Sequence, residues 1–99
     1  MSLKKATPVE IIDGNSFRLR TDAIIVLEGV EAPNKSTPEG QKAKAKLAEL
    51  VLKQKVEYET TAWTPMGQTK ANVNLDGVDI NAEMKKFIAT LRARMTTDS

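Results

Sequence analysis

The residues that could do chemistry here are few, and the absences narrow the choice first. The chain has no His and no Cys, so histidine general bases, Ser-His-Asp triads, cysteine nucleophiles, disulfides and Cys/His zinc sites all lack their atoms. Hydrolysis in such a chain has to rely on carboxylates, on Lys or Arg, or on a hard metal ion. A basic stretch runs through Lys42, Lys44, Lys46, Lys53 and Lys55, with Glu39, Glu49 and Glu57 interspersed. That pattern suits phosphate contact, and it equally suits an ordinary solvated face. Fifteen basic against 13 acidic residues leave a net charge of +2, which permits a nucleic-acid partner without pointing to one. Trp63, close to Pro65 and Met66, reads either as an interface anchor or as a cover for one end of the fold.

These residues are held by elements that the hydrophobic pattern predicts. Val9–Ile12 and Ser16–Arg20 read as two strands of a hairpin around Asp13-Gly14-Asn15, with Phe17 and Leu19 alternating against Arg18 and Arg20. Gly14 and Asn15 read as turn residues tolerant of positive φ. Ala23–Val30 is a β-branched run long enough for a strand buried on both faces. A helix then starts at Pro38, with Thr37 as its cap or with Ser36 and Glu39 as a capping box. Ala43, Leu47, Leu50 and Val51 form its apolar stripe, and Lys42, Lys46, Glu49 and Lys53 its solvated face. Val56, Tyr58 and Thr60 alternate as a strand, and the chain turns at Trp63–Gly67. Ala71, Val73 and Leu75 alternate again before the Asp76-Gly77 turn. Ile80, Met84, Phe87, Ile88, Leu91 and Met95 then fall on one stripe of a second helix.

With 99 residues, 40% of them hydrophobic, the chain reads as one globular domain over 1–99, with 1–6 and 96–99 as flexible ends. Ala23–Leu27 is the longest apolar run and is far too short to span a bilayer, and no signal peptide is evident. The compartment is therefore open. Three strands, a helix, two strands and a helix match an α+β architecture: a five-stranded OB-fold Greek-key β-barrel with a helix between strands 3 and 4 and a C-terminal helix packed on the barrel.

Four segments sharpen that expectation: Ile12-Asp13-Gly14-Asn15-Ser16-Phe17-Arg18-Leu19, Leu27-Glu28-Gly29-Val30-Glu31-Ala32-Pro33-Asn34, Gly40-Gln41-Lys42-Ala43 and Leu75-Asp76-Gly77-Val78-Asp79-Ile80-Asn81. In order and spacing they resemble the staphylococcal nuclease (thermonuclease-like) family, from about Ala6 to Ala89. The resemblance implies an OB barrel and calcium-dependent hydrolysis of DNA and RNA. It also implies which positions should carry that chemistry, and most are altered. The family's two metal-binding aspartates match Asn15 and Glu31, a pairing that weakens calcium binding without erasing it. The two phosphate-clamping arginines match Val26 and Gln68, and the water-activating glutamate matches Asn34, an amide with no useful basicity. Arg20 and Lys70 are cations that could reach toward the same groove, without Arg's planar fork at the family's positions. One Trp, one Tyr and two Phe supply a poor stacking platform for single strands.

Three readings follow. The first is a catalytically inactive, degenerate member serving as a binding or scaffold module for a protein partner, similar to the non-catalytic repeats of Tudor-containing staphylococcal nuclease proteins. The second is a weak, nonspecific nucleic-acid binder using Arg20, Lys42, Lys46, Lys53 and Lys70, and the third a divergent phosphodiesterase with a metal on Asn15 and Glu31. No cofactor is expected beyond residual low-affinity calcium. Trp63 and Met66 are the expected interface residues.

Overall fold

The computed structural model describes residues 3–97, with side chains to Leu91. It is an α+β fold in which two helices pack on a curled sheet of seven strands. The elements are β1 (Lys4–Ala6), β2 (Pro8–Asp13), β3 (Ser16–Leu19), β4 (Ile24–Leu27), α1 (Pro38–Val51), β5 (Val56–Trp63), β6 (Thr69–Leu75), β7 (Val78–Asp79) and α2 (Ile80–Thr97). The strand order is β1-β5-β6-β4-β3-β2, and β7 pairs with β6. β4 runs parallel to β6, and the remaining pairs are antiparallel.

Seven strands stand where the sequence suggests five. One extra is β7, two residues on the far side of the Asp76-Gly77 turn. Both turn residues have positive φ, the twist a tight hairpin needs. The other is β1, within the segment expected as a flexible end. Lys4, Lys5 and Ala6 instead pair with Tyr58, Glu57 and Val56. Of the termini, residues 1–2 and 98–99 lie outside the described residues.

Burial follows the alternation that each strand carries. Phe17, Leu19, Ile25, Leu27, Val56, Ala71 and Val73 are buried and meet Ala43, Leu47 and Val51 of α1 and Ile80, Met84 and Ile88 of α2 in one core. The β-branched run is shorter than expected and one-sided. Only Ile24–Leu27 is strand, Ile24 and Val26 are half-buried, and the chain turns at Glu28-Gly29.

Helix α1 resolves its alternative starts. Thr37 Oγ1 accepts from the Gly40 N–H at 3.0 Å, and Pro38 takes the first turn. The helix stops at Val51, so Lys53 does not share its face. It stands at φ 64° in the following turn, its N–H donating to the Pro8 carbonyl at 3.0 Å. Lys46 lies 5.7 Å from the Phe87 ring centre, linking the two helices by a cation–π contact.

The Asp13-Gly14-Asn15 turn also differs in cause. Neither Gly14 nor Asn15 adopts positive φ. Gly14 is required by close approach, because a Cβ there would meet Ala43 Cβ at 2.6 Å. Asp13 Oδ1 closes the turn by accepting from Asn15 N–H at 3.1 Å and Ser16 Oγ at 2.7 Å.

Candidate functional site

The end of β4 and the loop behind it carry most of the candidate residues, and three backbone bonds fix their place. Leu27 N–H donates to Asn15 O at 2.7 Å, which fastens β4 to the β2–β3 turn. Glu28 N–H donates to Ala71 O at 2.9 Å, continuing the parallel ladder with β6 past the end of the strand. Val30 N–H turns back to Leu27 O at 3.3 Å. The Asn15 side chain completes the frame, its Nδ2 donating to Val30 O at 2.9 Å.

This frame encloses an open groove of about 320 Å³ lined by Asn15, Val26, Glu28, Glu31 and Lys70, among others. Val26 and Lys70 are register partners in the β4–β6 ladder, which puts the apolar side chain and the ammonium side by side on one face. Glu31 is exposed, while Asn15, Val26, Glu28 and Lys70 are half-buried. The groove adjoins a second hollow of about 210 Å³, where Gly29, Val30 and Glu31 face Lys85, Ile88 and Ala89 of α2. A Cβ on Gly29 would lie 3.0 Å from Lys85 Nζ, so the ammonium sits directly over that loop.

Neither Asn34 nor Gln68 is among the residues that line this groove. Asn34 staples its own loop: its Oδ1 accepts from Ser36 N–H at 2.9 Å and Ser36 Oγ at 2.8 Å, and its carbonyl accepts from Thr37 Oγ1 at 2.6 Å. Gln68 closes the β5–β6 turn, donating its N–H to Thr64 Oγ1 at 3.0 Å and accepting from Thr64 N–H at 2.8 Å. Lys42 and Lys46 lie on α1, Lys53 beyond it, and Arg20 at the end of β3, so these cations do not share the groove.

Trp63 ends β5 instead of starting the turn, and it covers nothing: it is 69% exposed, and Met66 at the turn tip is 80% exposed. The two form an exposed apolar pair on one hairpin end.

Three residues of this region carry no signal as single letters in the sequence. Glu28 has one carboxylate oxygen, Oε2, that is buried and without a hydrogen-bond partner among the described residues. Lys85 reads only as the polar face of α2. Asn81, 4% exposed, is the polar hub beneath the groove: its Oδ1 accepts from Val73 N–H at 2.8 Å and its Nδ2 donates to Glu28 O at 2.9 Å and Ala71 O at 3.1 Å. Its place one residue after the first apolar position of a helix is the available clue, since that helix side turns toward the sheet.

A calcium ion takes about six to eight oxygen ligands, most of its charge balanced by carboxylates. The groove offers one amide oxygen from Asn15, whose nitrogen is spent on Val30, and the carboxylates of exposed Glu31 and half-buried Glu28. Among the described residues no three His, Cys, Asp or Glu side chains come together as a metal-holding group. The donor set does not fit a dedicated calcium site.

No protein family model matches the chain, and no curated protein matches it significantly in sequence.

Proposed function

We propose that this chain is a degenerate, catalytically inactive nuclease-like OB-fold domain that serves as a binding or scaffold module for a protein partner. The topology supports the fold part of this reading. β1 and β2 are one stretch interrupted at Thr7; counted as a single strand, they give the cyclic order of a five-stranded OB barrel, with β7 as a short addition.

One observation carries the functional part: the groove at the position implied for catalysis is lined by Asn15, Val26, Glu31 and Lys70, while the Asn34 side chain is engaged in its own turn and Gln68 brings an uncharged amide and is not among the groove's lining residues. Phosphodiester hydrolysis needs positioned cationic donors for the developing charge and a group that activates water. Lys70 alone supplies a cation there, without Arg's planar fork, and the valine, the amide and the solvated Glu31 supply no positioned base. The exposed Trp63 and Met66 supply the residue types that interfaces favour.

The test is cleavage of heat-denatured DNA across calcium concentrations and alkaline pH, beside a Glu31→Ala protein prepared identically. No turnover above that control is expected, because each missing charge-stabilising donor alone costs about 100- to 1000-fold. Calcium-dependent turnover that vanishes in Glu31→Ala would overturn the reading in favour of the phosphodiesterase. Lys70 in the same groove favours the nucleic-acid reading as runner-up. Binding of DNA or RNA that is independent of sequence, falls steeply with added salt and weakens in Lys70→Gln would promote it, since nonspecific electrostatic contact has that signature.

A further inference from the structure

The dipeptide Asp-Gly occurs twice in the chain, at Asp13-Gly14 and at Asp76-Gly77. It is the pairing most open to attack of the backbone on its own side chain, because glycine places no side chain in the way of its amide nitrogen. The fold treats the two copies in opposite ways. Asp13 is half-buried, and its Oδ1 is held by Asn15 N–H at 3.1 Å and by Ser16 Oγ at 2.7 Å. Gly14 is buried, and the space that a Cβ would need is filled by Ala43 and Ala32. Neither this carboxylate nor this peptide can turn toward the other without breaking those contacts.

At Asp76-Gly77 both residues are exposed, and a Cβ on Gly77 would meet nothing within 4 Å. Asp76 shares a shallow depression with Lys5, Lys55 and Glu57, yet among the described residues its carboxylate forms no ion pair. Asp76 stands at φ 51° and Gly77 at φ 83°, in the left-handed region that an L side chain rarely holds. The pair tops a hairpin whose second strand is two residues long, closed by Asn74↔Asp79 and Leu75↔Val78. Exposed tips with so few bonds beneath them are the first parts of a fold to open.

We propose that Asp76 is a site of spontaneous isomerisation to isoaspartate, and that the fold protects Asp13 from the same reaction. The Gly77 nitrogen attacks Cγ of the protonated Asp76 carboxyl; an N–Cγ bond forms, and the carboxyl hydroxyl leaves as water with the amide proton. Water then opens the resulting succinimide at either carbonyl. Attack at Cγ restores aspartate, and attack at the Asp76 backbone carbonyl leaves the main chain running through Cβ and Cγ. The only co-reactant is water. The product chain is one atom longer in a turn whose two-residue length matches the twist of its strands, so Leu75↔Val78 is the pair expected to open. The freed carboxylate is the group that an isoaspartyl methyltransferase esterifies. The site is independent of the proposed function: neither residue lines the groove at Asn15.

The experiment ages the full chain at physiological temperature and mildly acid pH, native in one arm and unfolded in guanidinium chloride in the other, until the unfolded arm has isomerised. Isoaspartate is counted by an isoaspartyl methyltransferase with labelled S-adenosylmethionine. Trypsin cuts after Lys5 and Arg18 and after Lys70 and Lys85, so the two aspartates fall in separate peptides. An unchanged peptide mass separates isomerised aspartate from deamidated asparagine, and fragmentation separates Asp76 from Asp79. The native chain is expected to gain isoaspartate at Asp76 and none at Asp13. The unfolded chain is expected to gain it at both, since the protection of Asp13 belongs to the fold. Asp76→Glu, an exposed change that keeps the charge but must close a larger ring, is expected to abolish the signal from its peptide. Equal accumulation at Asp13 and Asp76 in the native chain would overturn the inference. So would a native Asp76 that stays intact while the unfolded arm isomerises, or a mass-neutral signal that persists in the Asp76→Glu peptide.

Discussion

Replacing Asn81 by Ala is the sharpest probe of how α2 is joined to the sheet. The side chain is 4% exposed and satisfies groups on two strand segments: Val73 N–H, Glu28 O and Ala71 O. Ala71 O keeps a second donor, the Glu28 N–H at 2.9 Å, so truncation strands Val73 N–H and Glu28 O. A buried backbone group left unpaired costs about 1–3 kcal/mol; with Val73 N–H buried and Glu28 O only partly so, Asn81→Ala is expected to cost about 2–4 kcal/mol in all. For a domain of this length that is a fall in Tm of at least about 8 °C.

Asn81→Asp separates the acceptor from the donor. It keeps the oxygen for Val73 N–H and turns a second oxygen toward two carbonyls, which raises the introduced carboxyl's folded-state pKa above its unfolded value. The folded state then binds the extra proton, so this variant is expected to be closest to wild type at acid pH. The deficit grows as pH rises through the folded pKa. Urea denaturation followed by far-ultraviolet circular dichroism measures both variants, because Trp63, 69% exposed, is a poor reporter of unfolding. A cost below about 1 kcal/mol for Asn81→Ala would refute the reasoning.

Two further outcomes concern the start of α1. Gly40→Ala would drive a methyl into the Asn34 carbonyl oxygen and to 2.6 Å from its carbon and 2.8 Å from Lys35 Cα; a loss of about 1–3 kcal/mol is expected, with faster amide exchange at Ser36 and Thr37. Thr37→Ala should cost about 1 kcal/mol of stability, read as a lower urea midpoint, and Thr37→Ser should recover most of it, since the hydroxyl that accepts from Gly40 is retained.

What the sequence revealed depended on how each residue's role is encoded. Ile80, Met84, Ile88 and Leu91 are buried because a period near 3.6 is a property of the letters themselves. The Thr37 cap needed only a choice between neighbouring starts. β1 was invisible because Lys4, Lys5 and Ala6 owe their strand to β5, a partner fifty residues away in the ladder Lys4↔Tyr58 to Ala6↔Val56. Gly14 is a turn residue, as the sequence predicts, but its need comes from Ala43 on another element and not from a positive φ. At the site, the contents of the groove at Asn15, Val26 and Glu31 were nameable from the resemblance. The diversion of the Asn34 side chain into its own turn, and the role of Asn81, arise from bonds that only the folded chain displays.

The interruption at Thr7 has a consequence for assembly. Because β1 and β2 are consecutive yet sit at opposite ends of the strand order, a short N-terminal segment alone occupies the outer side of β5. Among the described residues, three register pairs hold it there. Were that segment to release, β5 would present a row of free N–H and C=O groups. The matching segment of another molecule is the best-fitting replacement, so exchange of arms between copies is the natural route to a dimer, and it would bury the same contacts twice over.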